Sequence, residues 1–423
     1  MIAGATGVSV FLLFLGVPIF IVFAIFGELL LGVHMGIPWI VIAQGMYNAL
    51  AKYMLIAVPL FILSGNLMLE GGLAKRLVDL FTSYVGHFRG GLALSLVLTM
   101  GFFGALCGSI LAAIVAIGTI MIPMMVERGY PKAFCAALVA ASAGLDSLIP
   151  PSNGAIIYCS ITGASVSKAF MAGLIPGIFQ MTLLVIGSMW LCRKMQPAQP
   201  SSWRDRWKAT FKAIPVLFMP IVILGGIYLG IFTPVEAAAI ACVWPLVVGT
   251  VLYRELTIQG IWVALKRTAS ATGIVFALIA TASFLSLALN YTRLPQKLVE
   301  VVTAAGVTPI SLLLLSALVW IILGLVLEAV PNMFVSVPII MVLAESMGVD
   351  ILHLYLVMAA FIGIGLLTPP VSVGAYTAAA VAEEDIRHVL HYLYPVLFGI
   401  LIVCGLVYIF FPEMGLWLPR QMG

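Results

Sequence analysis

Apolar residues run through this chain in long, nearly unbroken stretches, without the alternation of a half-buried strand or the single stripe of a surface helix. The stretches cover approximately 8–33, 53–70, 91–125, 133–149, 154–191, 213–253, 271–290, 308–344, 351–382 and 391–411. A helix needs about 20 apolar residues to cross a bilayer, so each stretch predicts a segment at membrane depth and the longer ones predict two. The pattern breaks most sharply at Ile149-Pro150-Pro151-Ser152-Asn153 and at Leu367-Thr368-Pro369-Pro370-Val371, half a chain apart. Paired prolines remove backbone donors and clash with the preceding turn, which interrupts a helix. Lipid cannot satisfy the freed groups. Matched breaks in two halves therefore point to a polar cavity of the kind that transporters build at the bilayer midplane.

Composition changes the picture only by sharpening it. With 63% hydrophobic and 9% charged residues and a mean hydropathy of +1.20, the 423-residue chain is expected to be an all-α polytopic membrane protein with no sizeable soluble domain. The first apolar stretch has no basic run before it and no separable processing site, so it reads as a retained span. A net charge of +4 spread over the loops argues against nucleic acid and for ordinary insertion in a lipid bilayer. Six scattered cysteines (Cys107, Cys135, Cys159, Cys192, Cys242 and Cys404) and five histidines (His34, His87, His353, His388 and His391) make no CxxC, HExxH or paired spacing, and no phosphate-binding loop is present.

One clear linker, residues 193–212, carries Pro197, Pro200, Ser201 and Ser202 together with Arg193, Lys194, Arg204, Arg206, Lys208 and Lys212. Its basic bias places it on the cytoplasmic side. Trp203 and Trp207 suit a headgroup-level amphipathic segment, with a solvated loop as the plainer alternative. The linker divides the chain into 1–192 and 213–423, and each half carries a long apolar stretch interrupted by small or polar residues, then a proline-pair break. The interrupted segments, Gly101 to Gly118 and Gly324 to Asn332, read either as re-entrant hairpins or as two spans joined by a tight turn. The expected hairpins are about 91–125 and 308–344, and the broken helices about 133–165 and 351–382. Such an order is the mark of an internal repeat.

Two constellations carry chemistry. The first joins Gly104, Cys107, Gly108 and Ser109 to Asp146, Ile149, Pro151, Ser152 and Asn153; the second joins Gly324, Glu328 and Asn332 to Gly365, Thr368 and Val371. Small residues let backbones approach, and broken helices expose carbonyls that suit a hard cation. Close packing of helices through small residues is the simpler use of the same pattern. Asp146 is the most telling residue, because a carboxylate at the bilayer centre costs about 2.5–3.5 kcal/mol. It can ligate a cation, carry a proton or pair with a basic residue. Glu328 either faces an ion or substrate or caps free amides at the hairpin tip. Ser152, Asn153 and Asn332 are further candidate substrate contacts. Thr233-Pro234-Val235-Glu236 reads as a capped helix start without chemistry, and Gly71-Gly72 and Gly129-Tyr130-Pro131 as turns at the interface.

With these residues in hand, the chain resembles the large membrane subunit of tripartite ATP-independent periplasmic (TRAP) transporters, the DctM family. The stretches that carry the resemblance are Ala116 to Pro123, Gly129-Tyr130, Ile149 to Ser152, Ala172 to Gly177, Phe232 to Ala238 and Gly365 to Val371. The resemblance implies an inverted-repeat ion-transporter fold with two re-entrant hairpins, two broken helices and an elevator motion, in a bacterial inner membrane. It implies sodium-driven uptake of a small organic anion, with no enzymatic activity and no cofactor. It further implies two partners: a separate small DctQ-like membrane subunit, for which this chain has no room, and a DctP-like periplasmic substrate-binding protein.

The resemblance also assigns sodium sites. Site one falls on Gly104, Cys107, Ser109, Asp146, Ile149 and Pro151, and site two on Gly324, Gly365, Thr368 and Val371. At site one the chain departs from its family, with Cys107-Gly108-Ser109-Ile110 where relatives carry a serine-rich tip and Asp146 where they carry glycine. The expectation is that Asp146 replaces the lost oxygen ligands or makes the site proton-sensitive. The rival readings are a sodium/dicarboxylate symporter that needs no binding protein, and, less favoured, a channel or a membrane enzyme. An enzyme lacks its paired acid and base, since Asp146 and Glu328 lie in different halves.

Overall fold

The computed structural model describes residues 7–9, 11–12, 15–193, 195, 200–292, 294–370 and 372–421, and among them every regular element is helical. In chain order, α1 (Ile19–Gly27) runs on through a π-helical turn to His34, and is followed by α2 (Trp39–Leu50), α3 (Ala57–Glu70) and α4 (Leu73–Val85). The first hairpin is α5 (Gly91–Cys107) and α6 (Ile110–Val126). The first broken helix is α7 (Lys132–Ala143) and α8 (Asn153–Thr162), joined through a 3-10 turn at Gly144–Ser147; α9 (Val166–Leu191) returns. The second half holds α10 (Trp203–Tyr228), α11 (Pro234–Val247), α12 (Ile258–Thr292) and α13 (Leu294–Ala304). Its hairpin is α14 (Pro309–Gly324) and α15 (Ala329–Ser346), and its broken helix α16 (Ile351–Gly365) and α17 (Val373–Ala382). The chain closes with α18 (Ile386–Tyr392), α19 (Gly399–Phe410) and α20 (Glu413–Gln421). Seven helices among the described residues are long and apolar enough to cross a membrane.

Both breaks fall at the proline pairs. α7 stops at Ala143 and α8 resumes after Pro151; α16 stops at Gly365 and α17 resumes after Pro370. Each arm of the first hairpin has 17 residues, about 25 Å of helix, short of the roughly 30 Å hydrocarbon core. The packing explains how such short arms fit. The first hairpin lies against α7 and α17, and the second against α16 and α8. Each hairpin thus covers the half-helices on one side of the breaks, and the two approach the breaks from opposite sides.

The hairpins turn for identifiable reasons. Gly108 occupies the left-handed region at φ +63° and ends α5, and Ser109 caps α6 by accepting a hydrogen bond from the Ala112 amide at 3.4 Å. The second hairpin starts at a capping box in which the Thr308 and Ser311 side chains each accept from the other's amide, with Pro309 in the first turn. Thr233-Pro234-Val235-Glu236 forms the capping box its sequence predicts. α7 is buried along its whole length except Lys132 and is built mainly from Ala, Ser and Cys. Small side chains let it sit deep between the first hairpin and α17, where close contact rather than hydrophobic exclusion holds membrane helices together.

A second set of helices, α3, α10, α11 and α12, packs together beside this assembly. Asn66 of α3 donates to Thr268 Oγ1 of α12 at 3.0 Å in its interior. On one face Arg76 pairs with Glu255 at 2.8 Å, Arg267 pairs with Glu70 at 2.8 Å, and Arg206 lies 5.9 Å from the Tyr84 ring. This face gathers the basic residues of the linker and of the turns around Lys75, Arg128 and Arg254, and so is the cytoplasmic one. The first hairpin opens toward it and the second toward the opposite, periplasmic face. The linker is more ordered than a loop: α10 begins at Trp203, with Ser202 capping it through the Asp205 amide. Lys194 and Pro197 lie outside the described residues.

Candidate functional site

The two hairpin tips and the two breaks enclose a cavity of about 370 Å³. Its wall is divided by chemistry. Ser109 from the first tip, Asp146, Ser147, Ser152 and Asn153 from the first break, and Glu328 from the second tip supply the polar groups. The facing side is supplied by Val58 and Ile62 of α3 and Ala271, Ile274 and Val275 of α12, all apolar.

Asn153, the first residue of α8, ties break to tip by donating from Nδ2 to the Gly108 carbonyl at 2.9 Å, while its Oδ1 has no hydrogen-bond partner. Tyr355 of α16 donates to the Ser147 carbonyl at 2.7 Å, so the second broken helix holds the first at its bend. Ser152 donates to the same carbonyl at 3.4 Å. Asp146 is 5% exposed. Its Oδ1 is without a hydrogen-bond partner, and it forms no ion pair with a basic group among the described residues. Glu328, exposed at the N-cap position of α15, makes no capping hydrogen bond and is among the residues that line the cavity.

Of the site-one residues, Gly104 and Asp146 touch, since a Cβ at 104 would stand 3.3 Å from that of Asp146. Ser109 reaches the cavity from the tip. Cys107 is turned away from it, buried against Gly65 of α3, where a Cβ would come within 2.8 Å of its sulfur. Ile149 packs on Gly101 and Gly177, and Pro151 is buried within the break. Sulfur is a poor partner for a hard cation, so the oxygen donors near site one are Ser109, Asp146 and the broken backbone.

At site two, Gly324 and Gly365 meet so closely that a Cβ on Gly324 would lie 2.7 Å from the Gly365 Cα. The Trp320 and Ile321 carbonyls stand 3.1 and 3.2 Å from where a Cβ of Gly365 would be. Thr368 donates from Oγ1 to the Ile364 carbonyl at 2.8 Å, which leaves its lone pairs for another partner. Carbonyl and hydroxyl oxygens are the ligand types that a hard cation takes, though both carbonyls already accept, Trp320 from Asn332 and Ile321 from the Leu325 amide. Val371 lies outside the described residues. Asn332 does not reach the cavity: it is fully buried behind the tip and donates to the Trp320 carbonyl at 3.0 Å, close to site two. Ser147 stands inside the first constellation without being singled out there, and Ser372 escaped the sequence reading. Ser372 begins α17 at φ +39°, its buried hydroxyl without a partner; a serine just after a proline pair was the available signal.

Comparison with known proteins places the chain in a family. The family described as tripartite ATP-independent periplasmic transporter, DctM component, matches residues 6–414. A C4-dicarboxylate TRAP transporter large permease protein DctM of Pseudomonas aeruginosa is 35% identical over 384 residues, 90% of each chain. A sialic acid TRAP transporter large permease of Vibrio cholerae is 32% identical, covering 97% of this chain and 96% of that one. An isethionate TRAP permease DctMQ of Oleidesulfovibrio alaskensis is 33% identical over 84% of this chain and 56% of its own length. Among solved structures, the YdaH transporter of Alcanivorax borkumensis shares the fold at TM-score 0.60 and 14% identity, over 89% of this chain and 88% of that one. Large permeases of this type are inner-membrane proteins that work with a small DctQ-type subunit and a periplasmic binding protein. This chain belongs to the DctM family, the large permease component of the tripartite ATP-independent periplasmic transporters.

Proposed function

We propose that this chain is the membrane pathway of a sodium-driven uptake system for an organic acid, which a periplasmic binding protein hands to the cavity between the hairpin tips. The observation that carries this reading is the division of the cavity wall: every polar group comes from tips and breaks, and the facing wall from α3 and α12 is apolar. A cargo held by one set of elements and merely touched by the other is suited to an elevator motion, in which the first set slides past the second. The relatives named for C4-dicarboxylate, sialic acid and isethionate support an organic acid as cargo. Sodium would sit at site two among the carbonyls beside Gly365 and the Thr368 hydroxyl. At site one it would meet Ser109 and the broken backbone. Helix N-termini facing the cavity at Asn153 favour the acid itself.

The test is uptake by proteoliposomes that contain this chain and its small subunit, with and without the binding protein and a sodium gradient. Accumulation is expected only with both. Uptake that persists without a sodium gradient removes the coupling reading, and uptake that needs no binding protein favours the symporter alternative.

A further inference from the structure

The polar side of the cavity is unbalanced. Its wall carries two carboxylates, Asp146 from the first half of the chain and Glu328 from the second, and no Lys, Arg or His. Asp146 is 5% exposed with Oδ1 lacking a partner, and Asn153 Oδ1 is likewise without one. Glu328, placed where it could cap α15, makes no such bond. Three groups thus offer acceptors into one cavity while the ion pairs among the described residues lie elsewhere. Asp146 and Asn153 are buried, and Glu328 stands exposed at the cavity mouth; a buried acceptor left without a donor is costly, the more so when it is charged. A cargo bearing only carboxylates makes this worse, since it brings like charge and no donor to the same acceptors. An ammonium or amidinium group supplies both the missing charge and the missing N–H donors.

We propose that the cargo is an organic acid that also carries a cationic nitrogen, and that Asp146 and Glu328 receive that nitrogen. Its acid then has the Ser109 hydroxyl and the free amides at the start of α8. Both carboxylates belong to a hairpin tip or a break, so they accompany the cargo if those elements move. The inference rests on the transport reading above and refines the cargo of that same cavity.

The experiment is thermal melting of the purified large and small subunits together, in sodium, with millimolar matched solutes: butyrate and γ-aminobutyrate, succinate and aspartate, glycerate and serine. A ligand bound only by the folded protein raises the melting temperature. We expect at least one amino-bearing member to raise it by a few degrees while its plain partner does not. The Asp146→Asn/Glu328→Gln double variant is expected to lose that difference, and its melt without solute reports whether it folds. Plain acids that stabilise as well as their amino partners, or no response to any amino-bearing member, overturn the proposal. A double variant that folds and keeps the preference overturns it too. Melting with sodium alone separates the two readings: without a sodium shift the coupling reading fails, whereas a sodium shift without amino preference removes only this inference.

Discussion

Thr368 is held ready by its own helix. Its hydroxyl proton is committed to the Ile364 carbonyl at 2.8 Å, so what faces outward is lone pairs, the half of a hydroxyl that a cation uses. Thr368→Val keeps the shape and removes the oxygen. We expect the sodium concentration for half-maximal uptake to rise about tenfold, which corresponds to about 1.4 kcal/mol; an unchanged sodium dependence would remove Thr368 from the site. Gly365→Ala tests the close approach behind it. The new methyl would meet Gly324 Cα at 2.9 Å, a backbone atom with nothing flexible to yield. Overpacking of this kind costs about 1–3 kcal/mol, more than the roughly 1 kcal/mol that alanine gains over glycine in a helix. The purified protein should therefore melt at a lower temperature; an unchanged or higher melting point would mean that the hairpin can shift. At this scale much could be read from the sequence. Asp146, Glu328, Ser109, Ser152 and Asn153 all line the cavity, because polar groups at membrane depth are costly and need a use. Asn332 was drawn to the same cavity by the same reasoning. It serves instead to tie its own hairpin to Trp320, a partner twelve residues back that spacing alone does not reveal.

Helices proved harder to delimit than their cores. The apolar stretch 271–290 is the middle of α12, which begins at Ile258 and carries Lys266 and Arg267 in its early turns. Hydropathy fades at those charges, but no breaker stands there and the helix continues. The linker shows the same effect from Trp203 onward, where charge signals a loop and Ser202 caps a helix. α2, α4 and α13 were missed for a different reason: they are short and one-sided, whereas the search for long apolar runs finds helices wrapped by lipid or protein all round. α4 is anchored by charge. Arg76 binds Glu255 through both guanidinium ends at 2.8 and 3.0 Å and lies 3.6 Å from the Tyr253 ring centre. These hydrogen bonds hold the Glu255 carboxyl below the usual carboxylate range. A depressed carboxylate contributes stability above its unfolded-state pKa of about 4.3 and loses it as pH falls through the lower folded value. The melting difference between the protein and its Glu255→Gln variant should thus be present at neutral pH and close below about pH 4. It should be small, since the pair is partly exposed, and a difference independent of pH would show that packing on Tyr253 alone anchors the helix.

Across the whole molecule, the tip of the first hairpin touches the α3 group where Gly65 meets Cys107, too close for any side chain at 65. Gly65→Val should drive a wedge into this contact and displace the tip. With Cys135, Cys159, Cys192, Cys242 and Cys404 replaced, Cys107 should then react faster with a small membrane-impermeant thiol reagent. Equal reactivity would mean that the tip does not separate from α3. On the periplasmic side Lys52, ahead of α3, reaches the Ser160 carbonyl near the end of α8, a further contact between the two groups of helices. The outline of this assembly was legible because two proline pairs and two small-residue tips recur in order. The pairing of each hairpin with half-helices from both broken elements was not, since it depends on contacts between residues hundreds of positions apart. The apolar wall of Val58, Ile62, Ala271, Ile274 and Val275 has a consequence for how such proteins diversify. A surface with no directional bonds has nothing to re-register when the cargo changes, and it adds no bond-breaking step to a sliding motion. On the elevator reading proposed above, new selectivity arises from substitutions on the tips and breaks alone, with the wall left as a bearing that serves any passenger.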